Sequence, residues 1–81
     1  MSNINKELLI ARLSYLDELS NKPGSKAINP MVTVKVKALI EDGEISDYMA
    51  LESVFRFLEE KMDNDDSQVD NYAKEIISFL N

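Results

Sequence analysis

The stretch that most constrains this chain is Ser46–Met62, SDYMALESVFRFLEEKM. At about 100° per residue, Tyr48, Leu51, Val54, Phe55, Phe57, Leu58 and Met62 fall on one broad arc. Glu52, Ser53, Arg56, Glu59 and Glu60 fill the opposite side. That is the pattern of a helix with one buried face. The stretch carries two of the chain's three Phe, so it is expected to supply the centre of the core. Ser46 is placed to cap its first turn, and Asp47 suits the positive end of the helix dipole.

A first helix is expected over 3–20. Ile4, Leu8, Ala11, Tyr15 and Leu19 form its main stripe, widened by Leu9 and Leu16. Two residues break that pattern. Arg12 projects from the apolar face, and Ile10 points from the polar one. Arg12 has two readings: a snorkelling stem with its head at the bundle edge, or a buried anchor for a carboxylate of a partner or of the third helix. Residues 21–29 read as a loop, with Pro23-Gly24 as the turn signal.

Residues 30–42 carry two signals. Val32, Val34 and Val36 alternate with Thr33, Lys35 and Lys37, the period of a half-buried strand. Against that, Asn29-Pro30 is a cap followed by proline at the first helical position, and Gly43 stands where a helix ends in the left-handed conformation. A lone strand needs a partner, and the chain has no second strand-like run. A helix over 30–41 is therefore expected. The alternative is an α+β homodimer pairing residues 32–36 across a two-fold axis.

Ile45 precedes the third helix and is positioned to staple its first turn. The apolar pattern of that helix stops at Met62, before Asp63-Asn64-Asp65-Asp66. A fourth helix follows over 67–80, capped by Ser67 with Asp70 three residues on. Val69, Tyr72, Ala73, Ile76, Ile77 and Leu80 are its stripe. The expected fold is all-α: a small bundle of four helices near 3–20, 30–41, 46–62 and 67–80, in one domain spanning 1–81.

Composition narrows the function classes. There is neither Cys nor His, so the usual general base near neutral pH and the thiolate nucleophile are both missing. No glycine-rich phosphate loop is present. The chain is read as non-enzymatic, with no cofactor and no metal. The absence of Cys favours a reducing compartment, and no targeting pattern or run of roughly 18–20 apolar residues appears. A cytoplasmic protein that does not insert in membranes is expected. The run Asp63 to Lys74 imitates the start of a calcium loop. It fails at the sixth position, where Gln68 replaces the turn glycine, and at the twelfth, where Lys74 replaces the bidentate Glu.

Charge is uneven along the chain. Residues 1–40 hold six basic against three acidic residues, for +3. Residues 41–70 hold eleven acidic residues against Arg56 and Lys61, for −9. The helix–turn–helix outline of 30–62 is thus undercut, because Asp47, Glu52, Glu59 and Glu60 would repel a phosphate backbone. No nucleic acid is expected as a partner. An acidic mimic that blocks a DNA-binding host protein is the alternative function. The leading one is a helical module that binds another protein. Its expected contact residues are Ile10, Arg12, Lys22, Lys26, Lys35 and Lys37, on the first helix, the loop after it and the second helix. A cation on an apolar stripe and a bare Ile each call for a cover.

The opening segment MSNINKELLIARLSYLDELSNKPGS, with the length near 80 and the acidic helical composition, resembles small cytoplasmic accessory proteins of T-even-type phages. The lysis-inhibition accessory proteins are the family it is most similar to. The resemblance implies a regulator that stabilises the inhibited state of a holin by contact on its cytoplasmic side. It assigns no role to any particular residue.

Overall fold

A computed structural model of the chain describes residues 3–24, 29–61 and 68–80. Four helices are present, α1 (Asn3–Ser20), α2 (Pro30–Glu41), α3 (Tyr48–Lys61) and α4 (Val69–Leu80), with no strand among the described residues. The all-α four-helix expectation holds, and the strand-paired alternative for 32–36 does not.

Local chemistry explains the helical outcome for α2. Asn29 is buried, and its Oδ1 accepts the Met31 N–H at 2.9 Å, while Pro30 occupies the first turn, where its missing N–H costs nothing. At the other end Gly43 has φ +85°. Its N–H donates to Ile40 O at 3.1 Å, and the Glu44 N–H donates to Leu39 O at 2.9 Å. These paired bonds form a Schellman closure, which a β-branched run can adopt only if a residue tolerating positive φ follows. Ile45 then turns inward and is buried.

The start of α3 differs from expectation. Asp47, not Ser46, is the cap: its Oδ1 accepts the Ala50 N–H at 2.8 Å and its carbonyl accepts the Leu51 N–H at 3.0 Å. The Ser46 carbonyl instead accepts from Asn5 Nδ2 at 3.2 Å. The Ser67 cap lies outside the described residues, as do Met62 and the Asp63–Asp66 turn.

The buried core comprises Leu9, Leu13 and Leu16 of α1, Val32, Val36, Leu39 and Ile40 of α2, then Ile45, Leu51, Val54, Phe55 and Leu58, with Ala73 from α4. As expected, α3 is central. Each fully buried aliphatic side chain contributes about 1.5–3 kcal/mol relative to exposure, so α3 alone accounts for a large share of the stabilisation.

Helix α1 buries only part of the face expected of it: Leu9 and Leu16, which widen the expected stripe, are buried, and Leu13 joins them in place of Leu8, Tyr15 and Leu19. Leu9, Leu13 and Leu16 face inward, whereas Leu8, Tyr15 and Leu19 are 51%, 49% and 44% exposed. On α3, Tyr48 is likewise half exposed. Bonds between helices show why. Lys6 Nζ donates to Glu41 O at 2.9 Å and Thr33 Oγ1 donates to Asp17 Oδ1 at 2.8 Å, so α1 runs antiparallel to α2. Asn5, Arg12 and Ser20 bond Ser46, Glu52 and Glu59, so α1 runs parallel to α3. The α1 residues between these two flanks must turn inward, and they are Leu9, Leu13 and Leu16.

Helix α4 packs against α3 and α2 and scarcely touches α1. Phe57 and Tyr72 meet edge to face at 6.0 Å, with Lys61 Nζ 5.9 Å from the Phe57 ring centre. Lys35 pairs with Asp70 between α2 and α4. The Cα trace measures 38 × 26 × 17 Å. A depth of 17 Å holds two helix layers, so each helix keeps one side open to solvent.

Candidate protein interface

The expected contact residues have different surroundings in the structure. Ile10 is half buried and packs against the core, so it is not a bare surface residue. Arg12 donates from Nε at 3.2 Å and Nη2 at 2.8 Å to one Glu52 oxygen, and its guanidinium carbon stands 5.3 Å from the Tyr15 ring centre. Arg12 thus reaches an acid of the third helix, but with its side chain 41% exposed at the bundle edge rather than as a buried anchor. Lys35 is engaged by Asp70. Lys22 and Lys37 are exposed, and Lys26 lies outside the described residues. Neither Ile10 nor Arg12 therefore needs an external cover.

What does lack a cover is a line of apolar side chains on the outer flank of α1. Leu8, Tyr15 and Leu19 are spaced by seven and four residues, which sets them on one helix face. The wheel places Arg12 next to them, between the stripe and α3. Sequence periodicity marks these three residues as apolar neighbours but assigns them to the core. The exposure that makes them a candidate contact surface is visible only once α2 and α3 are in place.

The stripe is set in acidic surroundings. Glu7 and Glu18 lie on its outer side, and Asp47, Glu52, Glu59 and Glu60 belong to α3 and its cap across the seam. Glu59 accepts a hydrogen bond from Ser20 Oγ at 2.6 Å. Arg12, held by Glu52, and Arg56 are basic residues of this face, and Lys22 is exposed in the turn that follows α1. Lys6 is turned toward α2, and Lys61 lies over Phe57 on the α4 side.

A further surface is an open cleft of about 290 Å³ between α2 and α4, floored by Leu39, Ala73 and Ile77 and edged by Lys35, Asp70 and Lys74. The Lys35 ammonium holds the Asp70 carboxyl below its ordinary value of 3.8, first by its hydrogen bond and then by its charge. Apart from that cleft, Met49 on α3 is 80% exposed and Phe79 on α4 is 84% exposed. Among the described residues no group of three or more acidic side chains is arranged to hold a metal ion, and no helix is long and apolar enough to cross a membrane. The Asp63–Asp66 part of the calcium-like run lies outside the described residues.

No protein-family model matches the chain, and no curated protein or solved structure matches it either.

Proposed function

We propose that this chain is a non-catalytic protein–protein interaction module that meets its partner through α1. The observation that carries the reading is the outward line of Leu8, Tyr15 and Leu19. Single exposed apolar residues are ordinary, but a ridge of them on one helix is a surface suited to a partner. The resemblance of the opening segment to phage lysis-inhibition accessory proteins adds a specific partner, the cytoplasmic part of a holin.

Affinity capture with the intact chain, read by mass spectrometry, tests the reading. The parent is expected to retain a defined protein, and a Leu8→Ser, Tyr15→Ser, Leu19→Ser variant of unchanged circular dichroism is expected to release it. Recovery of a holin supports the lysis role. A partner retained equally by the variant removes α1 as the contact helix.

The acidic residues around the ridge favour a second reading, an acidic mimic that occupies a DNA-binding host protein. A polymerase, nuclease or repressor as the captured protein distinguishes it. The apolar ridge running through the carboxylates places this reading second, since a phosphate backbone offers no such surface to imitate.

A further inference from the structure

The interaction-module reading leaves the chemistry of the partner open, and the α1/α3 face narrows it. Three bonds hold this face in a fixed register: Asn5 to Ser46 at 3.2 Å, Arg12 to Glu52 at 2.8 Å and Ser20 to Glu59 at 2.6 Å. They keep α1 and α3 parallel over about four turns, roughly the length of a 15-residue amphipathic helix. The relative placement of α1 and α3 is therefore set by contacts within the chain, and a partner need not reorganise it.

Charge decides among the occupants. Arg12 and Glu52 neutralise each other. That leaves Arg56, and Lys22 in the turn after α1, against the five carboxylates of Glu7, Glu18, Asp47, Glu59 and Glu60. A second copy docking by the same face across a two-fold axis would set carboxylates against carboxylates around the apolar ridge, a like-charge juxtaposition. An anionic lipid surface would be repelled for the same reason. A helix with an apolar ridge flanked by Lys or Arg meets both requirements, covering Leu8, Tyr15 and Leu19 while its cations face the carboxylates.

We infer that the α1/α3 face receives a basic amphipathic helix of another protein. Its apolar ridge lies along Leu8, Tyr15 and Leu19, and its basic flanks lie against Glu7 and Glu18 on one side and the α3 acids on the other. Steering by opposite charge accelerates encounter, and the apolar ridge limits escape.

Two labelled model peptides of about 18 residues, long enough to span the face, test this on the intact chain. Both carry Leu at helical spacing, one with Lys and the other with Glu at all remaining positions. In fluorescence anisotropy the Leu–Lys peptide is expected to bind at least about tenfold more tightly than the Leu–Glu peptide, with affinity falling as salt rises. Amide shifts are expected to cluster on α1 and α3. The triple serine variant at Leu8, Tyr15 and Leu19 is expected to weaken binding by about tenfold or more. A Glu7→Lys, Glu18→Lys, Glu60→Lys variant, altering only exposed side chains, is expected to do the same without touching the ridge.

Equal binding of the two peptides, or none, overturns the inference. So does Leu–Lys binding that ignores the serine substitutions, which would be general attraction to a chain of net charge −6. Self-association through this face, lost in the serine variant by sedimentation, overturns it too. The module reading, on which the inference rests, stands or falls separately. If the peptides fail while a captured cellular partner still depends on Leu8, Tyr15 and Leu19, only the partner's chemistry is wrong.

Discussion

Arg12 and Glu52 are forty residues apart in sequence and share one hydrogen-bonded contact, in which Nε and Nη2 of the guanidinium both donate to a single carboxylate oxygen. Their side chains remain 41% and 32% exposed, so water and salt screen the pair. Its structural consequence exceeds its energy. Together with the Asn5 and Ser20 bonds it ties one flank of α1 to α3.

The energy of that pair is expected to be small. A double-mutant cycle with Arg12→Ala and Glu52→Ala should give a coupling of no more than about 1 kcal/mol in urea unfolding. It should shrink further at high salt. A coupling of several kcal/mol would mean that the pair is desolvated in solution, contrary to its exposure here.

Leu13 and Leu19 separate the observed face of α1 from the one periodicity suggests. Leu13→Ala removes a fully buried side chain and is expected to cost about 2–5 kcal/mol. Leu19→Ala should stay within about 0.5 kcal/mol of the parent, as exposed substitutions usually do. Chemical denaturation of both variants measures the difference. Similar losses at the two positions would show α1 turned differently from its orientation here.

Gly43 closes α2 at φ +85°, with nothing within 4 Å of the position a Cβ would take. Gly43→Ala therefore meets no clash and loses only in backbone conformation, about 1 kcal/mol. A fall in urea midpoint without change of slope is the expected signature. No loss would mean that the closure is not populated.

Asp70 links stability to acid. Its carboxyl is held low in the folded chain by Lys35, with Lys74 adding in the same direction and slight desolvation opposing. For a lowered carboxylate the stabilising contribution is complete above the unfolded value and is lost as pH falls through the folded one. Carboxyl carbon shifts followed by NMR should report Asp70 titrating below ordinary aspartates. Lys35→Met should raise it back toward them, while leaving stability near neutral pH almost unchanged because the carboxylate is exposed.

Ile10 is expected to behave as a structural residue. Ile10→Asp places a charge against the core and should cost about 1–3 kcal/mol. Any loss of partner by that variant must be compared with its unfolding curve before it is ascribed to an interface. If Ile10→Asp leaves the unfolding curve where the parent's lies, Ile10 belongs to the surface.

Element positions were legible because their causes are local. Asn29, Pro30 and Gly43 mark both ends of α2 within a few residues, and they outweigh the valine alternation. Val32 and Val36 are one helical turn apart, so strand and helix alike would bury both; Val34 separates the two periods, since a strand would bury it with them and the helix leaves it 56% exposed. The core face of α3 was legible too, since Leu51, Val54, Phe55 and Leu58 stand opposite a polar side. The first helix is different. Leu8, Leu9, Ile10, Leu13, Tyr15, Leu16 and Leu19 nearly encircle it, and several rotations would bury a similar apolar area. The rotation is decided far along the chain, where Glu41 and Thr33 stand on one flank, and Ser46, Glu52 and Glu59 on the other. Hydrophobic burial is non-directional by itself and selects a rotation only against the surfaces that α2 and α3 present, with the hydrogen bonds on both flanks of α1 matching that packing. With those surfaces in place, Leu9, Leu13 and Leu16 are inward and Leu8, Tyr15 and Leu19 face water.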